Sequence, residues 1–123
     1  MQLDVLREPD ARPSEADIRR FVERFYAEVR ADPELGPVFE RRIGAAWDAH
    51  LDRMVDFWSS ILLGTGRYRG NPLEKHQAVP EIRSDHYDRW LALFETVLTR
   101  ELPEPVARDV VARAHRMRLV LDR

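Results

Sequence analysis

Apolar side chains recur along most of this chain at three- and four-residue steps, and no stretch alternates with a period of two. Ile18, Phe21, Val22, Phe25 and Val29 fall on one face of a helix. Ser14 followed by Asp17 has the spacing of a capping box, which predicts a first helix from about Glu15 to Arg30, with the Tyr26 ring turned inward beside Val22 and Val29. Asp32-Pro33 should stop it, leaving Leu35-Gly36-Pro37-Val38-Phe39 as a single-turn connection. A second broad apolar face runs from about Ala45 to Leu63 through Trp47, Leu51, Met54, Val55, Trp58, Ile61 and Leu62, the pattern of a buried helix. Ser84 is placed to cap a third helix whose inner face is Tyr87, Trp90, Leu91, Phe94, Val97 and Leu98. Pro103 ends it, Pro105 suits the first turn of a fourth, and Val106, Val110, Ala114, Met117 and Leu121 continue the stripe. With no Asn-Gly or Asp-Gly hairpin turn, the predicted fold is all-α.

The exception to this regularity lies between the second and third helices. Three of the five glycines, Gly64, Gly66 and Gly70, fall within seven residues and are followed by Asn71-Pro72. The run blocks continuation of the helix, and a short element opened by Pro72 then presents His76 before Pro80 closes it. A plain up-and-down bundle uses short loops, so a connection with its own short element frames a space to be filled. Residues 1–13 carry little apolar periodicity and are expected to be an extended or frayed leader before a single domain spanning 14–123.

Composition narrows the chemistry. The 123 residues suffice for one core, and a formal charge of −2 from nearly balanced acids and bases gives no surface for a nucleic acid backbone. There is no cysteine, so disulfides, iron–sulfur clusters, thiolate zinc and covalent haem attachment are all excluded. Neither a basic start followed by an apolar run nor a stretch of membrane-spanning length occurs, and a cytoplasmic protein without a membrane partner is expected.

The four histidines differ in setting. His115 lies among arginines and His86 in the first turn of its helix, and both are expected on the surface. His50 instead heads a stripe that descends through Met54, Phe57 or Trp58, and Ile61 at one-turn intervals, and His76 closes the glycine-rich segment. No pair of histidines has helical metal-site spacing, no Glu-x-x-His occurs, the glycines match no phosphate-binding fingerprint, and no nucleophile elbow is present. A single imidazole facing a large apolar and aromatic pocket suits a haem, whose plate needs burial and whose iron needs a neutral nitrogen. On these residues alone, a cofactor-free bundle with two buried histidines is an equal alternative.

Taken jointly, Phe25-Tyr26, Leu35-Gly36-Pro37-Val38-Phe39, Trp47-x-x-His50, Phe57-Trp58, Leu62-Leu63-Gly64, Tyr68-x-Gly70-x-Pro72, His76 and Arg89-Trp90-Leu91-x-Leu93-Phe94 resemble the group III truncated haemoglobins. The resemblance implies a shortened globin fold, two pairs of antiparallel helices around a non-covalent haem b, with His76 as the proximal iron ligand. It puts Tyr26, His50 and Trp90 on the distal side and Phe39, Met54, Phe57 and Trp58 along the haem, with Tyr87 standing where the family often has phenylalanine. Arg53 is a candidate propionate partner, as are Arg69, Lys75 and Arg83. The implied ligand is a diatomic gas: dioxygen, nitric oxide or carbon monoxide. A haem-dependent redox enzyme fed by a reductase, such as a nitric oxide dioxygenase or a peroxidase, and a haem-free interaction domain are the competing expectations.

Overall fold

The computed structural model describes residues 12–70 and 82–121, so His76 and Lys75 lie outside the described residues. Helix α1 spans Glu15–Ala31 and opens on the expected capping box: the Asp17 N–H donates to Ser14 Oγ at 3.0 Å and the Ser14 N–H to the Asp17 carboxylate at 3.0 Å. The next segment is a nine-residue helix, α2 (Leu35–Ile43), where the sequence suggested one turn. The cause is Asp32, whose carboxylate accepts from the N–H groups of both Glu34 and Leu35 at 2.9 Å and so starts a new helix where the old one ends. Pro37 lies in the first turn, where an N–H would have had no helical partner.

A turn of 3₁₀ helix, Gly44–Ala46, leads into α3 (Trp47–Leu63), which ends on Gly64 in the left-handed conformation at φ 71°. Helices α4 (Ser84–Glu101) and α5 (Glu104–Leu121) complete the described chain, which contains no strand. Ser84 is the first helical residue of α4, not its cap; His86 supplies the capping contact, its Nδ1 accepting from the Arg83 N–H at 2.9 Å.

Helix α1 packs on α3 and α4 packs on α5, and the two pairs meet where α1 lies against α4. The centre is aromatic. Trp90, Phe94 and Trp58 form a stack, with centroids 5.0 Å and 5.3 Å apart and planes within 14° and 18° of parallel. Phe25 and Phe21 meet the middle ring edge-on at 5.1 Å and 6.0 Å, so Phe94 is held on both faces and at its edges. Asp32 is also the tie between the α1–α2 corner and α4, through Arg89 Nε at 2.7 Å and 2.8 Å from its two oxygens. Burial pushes its carboxyl up, but hydrogen bonds from Arg89 and from the Leu35 and Glu34 backbone outweigh that and hold it below the usual carboxylate value.

Candidate functional site

Between the two helix pairs lies a cavity of about 360 Å³, within the range of small-molecule sites. Its walls bring together residues that the sequence scatters. Tyr26 comes from α1, Phe39 from α2, and His50, Arg53, Met54, Phe57 and Trp58 from α3, while α4 contributes Tyr87 and Trp90. Each described residue expected at the site therefore faces one space. Arg69 and Arg83 do not; both are exposed, and Arg83 is engaged with Asp85 at 3.0 Å.

One end of the cavity is a cage of rings. Tyr26 is 5% exposed, with Phe25 and His50 edge-on at 4.9 Å and Phe39 at 6.0 Å. The Trp90 indole is placed to donate to its hydroxyl oxygen, and Trp90 is itself fixed edge-on by Phe25 at 4.9 Å. Burial pushes the phenol well above its ordinary value, and the Trp90 hydrogen bond offsets this only in part. Tyr26 consequently stays protonated at any physiological pH. Trp90 can only donate to the oxygen, so the phenol proton remains available to a third group. His50 presents a ring whose Nε2 is shut off from solvent, and Trp47 stands behind it edge-on at 5.6 Å.

His86 corrects the sequence reading. It is only 9% exposed and lines the cavity. Its position one turn before Trp90 on the same helical face was the available signal, hidden by its place in a first turn. Because Nδ1 accepts from the Arg83 N–H, the neutral ring carries its proton on Nε2. With Nδ1 engaged as an acceptor, Nε2–H is the donor left to the neutral ring. His115 is exposed on α5, as expected.

Other lining residues were not among those expected at the site. Tyr68 is drawn in by Ser60, whose hydroxyl accepts from the Tyr68 N–H at 2.9 Å, and its ring meets Phe57 edge-on at 5.1 Å. Burial raises its phenol above the ordinary value, and the charge of Arg53 partly counters the rise. Ile82, Met117, Arg118 and Leu121 close the other end. Arg118 pairs with Asp88 and reaches the Ser84 carbonyl at 3.3 Å, bracing the end of α5 against the start of α4.

An apolar, ring-lined space with a buried phenol and arginines 42, 53 and 118 in its wall fits a flat apolar cofactor with an anionic edge. Among the described residues no cluster of three or more His, Asp or Glu side chains could hold a bare metal ion. The sequence profile of the bacterial-like globins matches residues 11–121. The chain belongs to that family. Within it, this globin is a group III truncated haemoglobin, and it is 36% identical over 104 residues to the group 3 truncated hemoglobin ctb of Campylobacter jejuni, covering 82% of each chain. Its fold superposes on the crystal structure of a group III truncated hemoglobin from Campylobacter jejuni with a TM-score of 0.82, at 34% identity and 85% coverage of both chains. Membership of a globin family carries haem binding with it. No described helix of this globin is long and apolar enough to cross a membrane.

Proposed function

We propose that this globin holds haem b without a covalent bond, with His76 as the iron ligand, and reversibly binds a diatomic molecule, dioxygen foremost, among Tyr26, His50 and Trp90. The observation that carries the reading is the buried Tyr26 hydroxyl, oriented by the Trp90 indole and still able to donate into the cavity. When bound, the haem supplies an iron with a free coordination position for a small neutral gas.

The chain's own contribution is electrostatic. A diatomic ligand carrying partial negative charge would be favoured strongly by fixed donors in a dry pocket, and Tyr26, His50 and Trp90 are the side chains that would supply them. Tyr26 would donate a hydrogen bond to such a ligand, and the packed rings of Phe25, Phe39 and His50 hold the phenol in place before the ligand arrives. Met54 and Phe57 help exclude water from the same space, while Arg53 offers a cation to a propionate. His86 is engaged through Nδ1 with the Arg83 N–H, His115 is exposed on α5, and His50 belongs to the wall that carries Tyr26. This supports His76, the remaining histidine of the four, as the proximal ligand.

The test is the absorption spectrum of the purified protein in ferric, ferrous and carbon monoxide forms, beside the His76→Ala variant. A stoichiometric haem spectrum that changes or disappears in the variant is expected; an identical spectrum would sink the assignment. The clustering of Tyr26, His50 and Trp90 also suits redox chemistry on the ligand, such as nitric oxide dioxygenation with an external reductase. Turnover above that of free haemin under reducing conditions would establish this second reading.

A further inference from the structure

Outside the ring cage, three side chains from three helices converge on one corner. Trp47, at the start of α3, is 5% exposed, and its indole N–H donates to the Glu40 carboxylate of α2 at 2.8 Å. The Arg30 guanidinium of α1 lies over the same indole, 4.5 Å from its centroid, and is itself 3.3 Å from Glu40. Phe39 stacks on the other part of the corner, 6.3 Å from Trp47 with planes 23° apart. Arg30 and Glu40 are each about half exposed, at 49% and 47%, so the ionic part of this arrangement sits at the surface and its aromatic part inside.

The inner edge of Trp47 is what gives the corner a functional consequence. Its ring meets His50 edge-on at 5.6 Å and Tyr26 at 5.9 Å, one layer outside the cavity. His50 is half-buried and polar in an otherwise apolar wall, the kind of side chain that can turn between cavity and solvent. Trp47 packs edge-on against the His50 ring, so its position bears on any such turn. A tryptophan tethered by its nitrogen and clamped on its face cannot easily move, while an untethered one can adopt other rotamers.

We infer that Arg30 and Glu40 act as a surface clamp on Trp47 that holds His50 turned toward the cavity and thereby sets the rate at which small ligands enter. The inference rests on the proposed haem function, because entry has meaning only for a loaded pocket. None of the three touches the ligand; they are positioning residues acting through His50. Releasing the clamp should raise the population of the outward His50 rotamer and open the wall.

Carbon monoxide rebinding after flash photolysis of the haem-loaded protein, together with the infrared C–O stretch, tests this directly. Glu40→Ala should speed association by about two- to tenfold, the factor that corresponds to one net hydrogen bond. It should also shift intensity from the C–O band of the polar contact toward one typical of an apolar surrounding. Arg30→Met, which keeps the stem but loses the charge, should act in the same direction more weakly. Glu40→Gln, whose amide oxygen still accepts from the indole, should stay nearer the parent. In a His50→Ala background the effect of Glu40→Ala should vanish, whereas mere loosening of the corner would accelerate entry there as well. Unchanged rates in both clamp variants, or equal acceleration without His50, would overturn the clamp. A protein that takes up no haem would instead defeat the functional reading beneath it, so the two failures are distinguishable.

Discussion

The two ends of the cavity are built on different principles. At the Tyr26 end, rings from α1, α2, α3 and α4 interlock, and polar atoms are directed by fixed partners: Trp90 on the Tyr26 oxygen and Glu40 on the Trp47 nitrogen. At the opposite end, the wall is made of Ile82 and His86 near the start of α4 with Met117 and Leu121 near the end of α5. Helix ends are held by caps and surface pairs, here the His86 to Arg83 contact and the Arg118 contacts to Asp88 and Ser84. An interlocked aromatic wall keeps donors in place, which selectivity for a small ligand requires. A wall of helix ends and a flexible methionine can adjust to a larger group.

The largest effect should come from breaking the aromatic end at its centre. Phe94→Ala removes the middle ring of a stack and is expected to cost about 3–5 kcal/mol in chemical denaturation. Met117→Ala, at the half-buried other end, should cost well under half of that. Equal losses would mean that the two ends are equally rigid. Tyr26→Phe sharpens the comparison by changing chemistry without shape. Dioxygen release measured by stopped flow should accelerate by roughly ten- to a hundredfold, as expected for loss of a hydrogen bond to a charged acceptor. Its unfolding midpoint should move little.

Next in size is Gly36→Ala at the corner that supports the cage. A Cβ there would stand 2.7 Å from the Arg30 carbonyl oxygen, so α1 and α2 would have to separate, at a cost of about 1–3 kcal/mol measured by urea unfolding. Ligand entry should change along with it, because Arg30 and Glu40 sit on the two helices being forced apart.

The smallest expected effect depends on pH. The folded-state value of the Asp32 carboxyl is lowered, so the stabilisation is full above the unfolded value of about 3.9 and is lost as pH falls through the folded one. Asp32→Asn keeps an oxygen for the Glu34 and Leu35 N–H groups but loses the charge that faces Arg89, and should cost roughly 1 kcal/mol at pH 7. Urea unfolding at neutral and at strongly acidic pH should show that difference shrinking once the parent carboxyl is protonated. A constant difference would mean that shape, not charge, is what Asp32 contributes.

Much of this was legible in the chain. Apolar spacing predicted α1, α3, α4 and α5 because a helix repeats every 3.6 residues, and burying one face is a local property of sequence. The Ser14 to Asp17 box set the start of α1 for the same reason, since its partners are three residues apart. The residues Tyr26, His50 and Trp90 could be named together only from the family resemblance, and their meeting across 64 positions could not be read from spacing. What only the tertiary structure decided are contacts between elements. Asp32 starts α2 through local bonds, but only packing brought Arg89, 57 positions on, against its carboxylate and so tied that corner to α4. His86 is buried because the other helices around the cavity cover a first-turn position that is ordinarily solvated. Trp47, which periodicity marks only as core, acquired a nitrogen partner on α2 and a cation from α1. Periodicity says which face is buried; the partner of each polar atom on that face is set by the packing of helices that the local sequence does not encode.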